Sequence, residues 1–308
     1  MEPHSARGND DSAIVPRTSL VVPASDPRKV ARALASAADE VVLDLEDAVA
    51  IGAKDSARDH VVEVLAQQPE KPLAIRINQI GTAWCHRDVL DIVRAATTEL
   101  TLVVPKVESA ADVGFVDRLI RGARAELASD TGDAPAVRID VLLESAAALR
   151  DLDAILGASP LLRAAVIGYA DLSADLAMPS VGETSLWDAV RSQVAAAARA
   201  HGRALIDGPW LSTAADEAFT HDRSRARALG FDGTWVIHPA QLDEATRIFT
   251  PSAEEVAWAS RIVETLADAV ARGAGAVALD GQMLDEAVAV RARSVLVRAG
   301  VEWAEVTR

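Results

Sequence analysis

Eight short apolar runs, each closed by polar or turn residues, recur from Thr18 onward with Ala-rich amphipathic stretches between them. The runs are SLVVPA (19–24), VVLDLE (41–46), LAIRIN (73–78) and TLVVPK (101–106). They continue with RIDVLLE (138–144), AAVIGY (164–169), RALID (203–207) and TWVIHP (234–239). Runs of this length and composition read as strands buried on both faces. The stretches 26–38, 54–68, 109–127 and 186–202 read as helices. Strands that alternate with helices demand a parallel sheet covered by helices. Eight such units in about 230 residues predict a (β/α)8 TIM barrel, an α/β fold. An open doubly wound sheet is the alternative, but no Gly-rich dinucleotide fingerprint follows the first run.

The barrel is expected over residues 18–250. Before it, residues 1–17 are polar, with no apolar core behind a basic start, and read as a mobile tail rather than a secretion signal. After it, residues 251–308 read as a C-terminal extension: a helix capped by Ser252, a short strand, a Gly turn and another helix. Composition narrows the function classes. Forty-six acids against 31 bases give a net charge of −15, a surface that repels a phosphate backbone, so nucleic acid is not the expected partner. No apolar run approaches the roughly 20 residues of a membrane helix. The single cysteine, Cys85, excludes an internal disulfide framework and suits a reducing cytoplasm.

In a TIM barrel, chemistry sits at the C-terminal ends of the strands. The residues closing the runs are therefore the candidates: Asp44, Glu46 and Asp47; Arg76 and Asn78; Lys106 and Glu108; Glu144; Asp171; Asp207; His238. Glu144 and Asp171 come from neighbouring runs, and two carboxylates plus water and substrate oxygens suit Mg2+. No His pair or Cys cluster is spaced for zinc. Arg76 is the only guanidinium at these ends after Arg17, suited to clamp a carboxylate or an enolate oxygen. The competing reading is a structural ion-pair layer across the barrel mouth. His238, before a proline, reads as holding a loop. Cys85 has no base nearby in sequence, and Trp84 and Trp210 are candidate pocket walls.

The segments RTSLVVPA, VVLDLEDAV, KDSAR, RIN, VVPKVES, LLES, GYADL, IDG, GFDGTWVIHPAQ, FTPSAEEV and LDGQMLD occur in that order from Arg17 to Asp285. This chain resembles the HpcH/HpaI aldolase / citrate lyase family, on the branch of citrate lyase beta subunits and malyl-CoA or citramalyl-CoA lyases. IDGPW and GFDGTWVIHP are nearer the malyl-CoA lyases. The resemblance implies a Mg2+-dependent carbon–carbon lyase, with Mn2+ as a substitute, acting on a CoA thioester and a 2-oxo acid. It implies a homotrimer or hexamer whose C-terminal segment reaches a neighbouring subunit, or a subunit serving an acyl-carrier protein. A thioester hydrolase on the same site is a further alternative.

By the same resemblance Glu144 and Asp171 are metal ligands, Glu46 and Asp47 hold metal-bound waters, and Arg76 binds substrate. Glu144, Tyr169 and Ala170 line the substrate site with it. Asp285 is the acid/base supplied by the adjacent protomer. Arg17, Lys54 and Lys106 are the candidate contacts to the CoA phosphates. Two departures remove positive charge expected near the CoA channel: Thr234 and Gln282 stand where family members carry a lysine and a basic residue.

Overall fold

The computed structural model describes residues 15–131, 134–178, 187–273, 276–279 and 282–301. The tail expected over 1–17 lies outside the described residues up to residue 14. Eight strands form a closed parallel barrel in sequence order: β1 (Thr18–Pro23), β2 (Glu40–Asp44), β3 (Leu73–Arg76), β4 (Leu100–Val104), β5 (Val137–Leu143), β6 (Leu162–Ile167), β7 (Ala204–Asp207) and β8 (Gly233–Val236). Thr18 beside Thr234 closes the ring, which leaves no free sheet edge. The open doubly wound alternative is thereby excluded.

Helices return the chain from each strand end to the next strand start. They are α1 (Pro27–Leu34), α2 (Lys54–Ala66), α3 (Cys85–Ala95), α4 (Ala110–Thr131), α5 (Ala146–Arg150) and α6 (Leu152–Leu156). The barrel side continues with α7 (Tyr169–Asp175), α8 (Trp187–Ala200), α9 (Glu217–Ala228) and α10 (Leu242–Phe249). Local chemistry fixes their starts. Asp26 accepts from the Arg28 and Lys29 amides just ahead of α1, and Pro27 opens the helix without a donor to lose. Asp216 caps α9 through the Phe219 amide.

The barrel interior follows from the two-residue period of strands. Val42 and Leu142 pack inside with Ala74, Val103, Ala164, Val166, Ala204, Ile206 and Trp235. On β2 the same period carries Glu40 below this apolar plug and Asp44 above it. On β5 it carries Asp140 below, and Glu144, one residue past the strand, above. The plug therefore separates two polar layers. In the lower one Arg163 donates to both oxygens of Asp140 (3.0 and 2.6 Å) and to Glu40 (2.8 Å), while the Ser19 hydroxyl completes Glu40 (2.9 Å).

The chain divides between Thr246 and Arg247 into two compact units. The second holds α11 (Ala253–Ala271), β9 (Val277–Leu279), β10 (Gln282–Leu284) and α12 (Glu286–Arg298). Ser252 caps α11 as expected, in a reciprocal capping box with Glu255. Ala259, Ile262, Leu284, Ala292, Val295 and Leu296 make its core. One short strand was expected here; two form, antiparallel, with Met283 beside Ala278. Asp280 and Gly281 between them are of the type favoured in two-residue hairpins, and lie outside the described residues. Among the described residues no helix is long and apolar enough to cross a membrane.

Candidate active site at the barrel mouth

The upper polar layer is organised from β2. Asp44 is fully buried and accepts from the backbone amides of Glu46 (2.8 Å) and Ala48 (3.1 Å), which turns the chain tightly past the strand end. Register puts Asp44 beside Arg76, and the two form a bidentate pair through Nε (2.8 Å) and Nη2 (2.5 Å). The remaining Arg76 nitrogen, Nη1, lies 3.0 Å from Glu46, and the guanidinium stands 5.9 Å over the Trp235 ring. Burial works against the Arg76 charge, but Asp44, Glu46 and Glu144 outweigh it and hold the group firmly protonated.

Facing this pair, Glu144 leaves the end of β5 and takes one hydrogen bond, from the Lys106 backbone amide (2.8 Å). Lys106 adopts a left-handed conformation (φ 51°), a strained choice for a lysine that aims its amide at Glu144. Gly168 is required opposite: a Cβ there would stand 2.6 Å from Glu144 Oε2. Burial, with Glu46 and Asp171 adding like charge, overcomes the Lys106 amide and Arg76 and pushes the Glu144 carboxyl up to about 8.

Asp171 sits in the first turn of α7, half-exposed, and makes no hydrogen bond or ion pair among the described residues. The Lys106 ammonium contacts Glu46 (3.0 Å) and Asp47 (3.6 Å) and feels Asp171. Both Glu46 oxygens are buried and have ion contacts but no aligned hydrogen bond. Burial raises the Glu46 carboxyl, despite Arg76 and Lys106.

These observations fit a hard divalent cation held by Glu144 and Asp171. The donors are carboxylate oxygens, the excess negative charge is desolvated, and Gly168 keeps space beside Glu144 Oε2. No cluster of three or more His, Cys, Asp or Glu ligands occurs among the described residues, so water and substrate would complete the shell. Glu46 and Asp47, joined by the Lys106 ammonium, would be the acids available to hold water there.

The other expected residues separate. Tyr169 is buried, and its hydroxyl is engaged with Asp207 and Arg191 rather than facing the mouth. Ala170 is exposed on α7, and the Gly168 amide is bonded to the Leu143 carbonyl (3.0 Å). Lys54 is buried with Nζ held by the Leu45 (2.8 Å) and Glu46 (2.6 Å) carbonyls, so it shapes the β2 turn. Arg17 precedes β1, at the opposite face of the barrel, and is paired with Asp39 (2.8 Å). Of the three CoA candidates, Lys106 is the one with a partly exposed side chain at the mouth; the Lys54 ammonium lies there too, but buried and held by the two carbonyls. Thr234, expected beside a CoA channel, is wholly buried and receives Arg223 Nη1 (2.8 Å). Asp285 belongs to the second unit, where its carboxylate caps α12 through the Val288 amide (3.2 Å). His238 does hold a loop: its Nδ1 accepts from the Ala240 amide (3.2 Å).

Sequence reading missed the role of Asp44 as the fixed partner of Arg76, although strand period points to it. It also missed Arg191 and Arg223, because charged residues on helices are ordinarily exposed. The signal for Arg191 is its place on the buried face of α8, with Trp187, Val194 and Ala198.

The family model for HpcH/HpaI aldolase/citrate lyase matches residues 17–239, which span all eight barrel strands. This chain belongs to that family. It is 35% identical over 303 residues to an L-malyl-CoA/beta-methylmalyl-CoA lyase of Cereibacter sphaeroides, covering 92% of this chain and 93% of the other. It is 31% identical over 285 residues to a (3S)-malyl-CoA thioesterase of the same species, covering 92% and 94%. Among solved structures, CitE from Mycobacterium tuberculosis in complex with magnesium, acetoacetate and coenzyme A superposes with a TM-score of 0.71 at 33% identity. That match covers 94% of this chain and 99% of the other.

Proposed function

We propose that this protein is a Mg2+-dependent carbon–carbon lyase acting on a β-hydroxyacyl-CoA such as malyl-CoA or citramalyl-CoA. The products are acetyl- or propionyl-CoA and a 2-oxo acid, glyoxylate or pyruvate, and condensation is the reverse. The observation that carries this reading is the meeting at one mouth of a desolvated Glu144, an Asp171 with no hydrogen bond or ion pair among the described residues, and an Arg76 fixed by Asp44. A cation bound there supplies Lewis acidity toward the oxo-acid oxygens. Glu144 and Asp171 hold it, and Glu46 and Asp47 orient water beside it. As the bond breaks, the β-hydroxyl gives its proton to water held by Glu46 and Asp47, its carbon becomes the oxo-acid carbonyl, and the bonding pair moves onto the thioester. Arg76 faces that developing enolate charge, already oriented by Asp44 and so needing no reorganisation. Asp285, from a neighbouring subunit, protonates the enolate carbon in cleavage and recovers that proton in condensation.

Assembly as a trimer or hexamer is supported by exposed apolar residues on the second unit: Met283 (72%), and Val290 (58%) and Val297 (47%), seven apart on one face of α12. The barrel over 18–250 is then the catalytic domain and 251–308 the segment that completes a neighbour's site. Mn2+ is a plausible replacement for Mg2+ in an all-oxygen site, and the lone buried Cys85 suits a reducing cytoplasm. Lys106 is the residue best placed to meet an anionic part of the thioester. The thioesterase likeness favours a second reading, hydrolysis of the same thioester; a subunit acting on an acyl-carrier protein is the third.

One assay separates them. The purified chain is given malyl-, citramalyl- and β-methylmalyl-CoA with and without Mg2+, and 2-oxo acid and free CoA are measured. Mg2+-dependent 2-oxo acid without free CoA is expected. Free CoA without 2-oxo acid identifies the hydrolase, and inactivity on every CoA ester overturns the reading in favour of a carrier-protein substrate.

A further inference from the structure

Behind the mouth, where β6 and β7 end beside the start of β8, lies a buried charge network that the proposed chemistry does not use. Arg191 from α8 and Arg223 from α9 are 0% and 1% exposed. Arg191 Nη2 donates to Asp207 (2.9 Å) and Asp222 (2.7 Å), and Arg223 Nη1 lies 3.0 Å from Asp207. Arg223 also bonds Asp222, the Gly208 carbonyl (2.5 Å) and Thr234 (2.8 Å). Into this network comes the Tyr169 hydroxyl, which donates to Asp207 and accepts from Arg191 Nε (2.8 Å). The Tyr169 ring is wedged beside Trp187, with centroids 4.8 Å apart, and beneath Arg191 at 5.4 Å. Gly208 makes the approach possible: a Cβ there would lie 1.9 Å from the Ile167 carbonyl and 2.9 Å from the Tyr169 ring.

Tyr169 is the first residue of α7 and Asp171 the third. Two helical steps turn the chain by about 200°, so these side chains leave opposite sides of the helix. Burying Tyr169 in the wall therefore turns Asp171 toward Lys106 and Glu144. The helix has only 7 residues and cannot fix its own rotation. The rest of the helix is held by buried Leu172 and by Asp175, which accepts from the Ala146 amide (2.6 Å), while Tyr169 anchors the first turn, the turn that carries Asp171.

We propose that Tyr169 is a positioning residue for Asp171: its hydroxyl, locked between Asp207 and Arg191, sets the rotation of α7 that presents the Asp171 carboxylate beside Glu144. The proposal rests on Asp171 being a ligand of the divalent cation. It moves Tyr169 from the substrate-contacting residues to those acting through another side chain.

The test is calorimetric titration of Mg2+ into the full-length protein without substrate, alongside melting temperature without metal. Tyr169→Phe removes one oxygen and keeps the ring. Its Mg2+ Kd is expected to weaken roughly 10- to 100-fold, the effect typical of losing a group that orients a metal ligand. Ser19→Ala, which disturbs the lower polar layer, is expected to keep the wild-type Kd. Wild-type Mg2+ affinity in Tyr169→Phe with a lowered melting temperature means the hydroxyl is only structural and overturns the proposal. Should Tyr169→Phe be too unstable to titrate, Arg191→Lys, which retains charge but loses the Nε donor to Tyr169, decides by the same criterion. Asp171→Asn separates the two levels. Unchanged affinity there overturns the ligand reading together with the proposal; weakened affinity there, with wild-type affinity in Tyr169→Phe, overturns the proposal alone.

Discussion

The two ends of β2 and β5 carry the same residue types to opposite results. At the base, Glu40 and Asp140 converge on Arg163, whose three nitrogens are all used, and a serine hydroxyl takes up the remaining Glu40 oxygen. Within one apolar layer of that arrangement, Asp44, Glu46 and Glu144 converge on Arg76. There Asp44 consumes two donors, Glu46 is left without an aligned hydrogen bond, and Glu144 has a single amide. Asp171 is close enough to raise Glu144 further. Burial of charge is common to both ends and so identifies neither. What distinguishes the mouth is the unmet demand for positive charge, maintained by a strained Lys106 and by Gly168. A base built for stability closes its hydrogen bonds; a site built for a ligand leaves some open.

Substitutions at the two ends should therefore separate activity from stability. The largest effect is expected from Glu144→Gln, which removes a proposed ligand without changing shape. Metal-dependent turnover should be abolished and Mg2+ binding lost by calorimetry, while at pH 7 the metal-free protein melts no lower than wild type, because a neutral amide replaces a carboxyl that burial already keeps largely protonated. A marked loss of melting temperature with intact Mg2+ binding would show the mouth to be an ion-pair layer like the base. The reverse is expected of Arg163→Met. Removing one partner of a buried pair leaves two acids uncompensated, a loss of ~3–5 kcal/mol in denaturant unfolding. Its Mg2+ affinity should stay at the wild-type value while the protein remains folded.

The contrast between these ends was only half legible in the sequence. Polar residues closing otherwise apolar runs marked Arg76, Glu144 and Asp171, because strand period and barrel geometry are local rules. Closure itself was inferred from unit count, and the β1–β8 pairing supplies what counting cannot. Lys54 and Arg17 misled for a physical reason: a basic residue near a site in sequence says nothing of where its long side chain ends. Lys54 folds back onto two carbonyls, and Arg17 stands before a strand whose far end forms the mouth. The network of Arg191, Asp207, Asp222 and Arg223 joins residues from one strand end and two helices, and no spacing rule connects them.

A smaller effect is expected at Arg76 itself. Arg76→Lys keeps a positive charge but cannot reproduce the bidentate pair with Asp44, so the charge is no longer held in place. If Arg76 faces developing enolate charge, kcat should fall by about 10²–10³-fold, with Mg2+ affinity little changed. A rise in KM alone would make it a ground-state carboxylate clamp instead.

The smallest effect belongs to a buried titratable group outside both layers, Cys85, which tests whether burial without an open partner has any functional meaning. Cys85 opens α3, is 2% exposed, and lies near Asp88. Burial first, then the Asp88 charge, pushes its thiol up to about 12. Because the nucleophile is the thiolate, a pKa four units above pH 8 leaves only about one molecule in 10⁴ reactive at any moment. Asp88 is itself occupied by the Asn78 amides (2.9 and 2.7 Å) and by Arg58 (3.3 Å), so no base is available to take the proton. Native protein at pH 8 should resist iodoacetamide until it is unfolded, when one equivalent reacts. Cys85→Ala should keep lyase activity within about twofold, since it removes one small buried group and no ligand. Rapid alkylation of the folded enzyme with loss of turnover would place a reactive group outside the mouth, and unmet demand would no longer separate functional from structural burial.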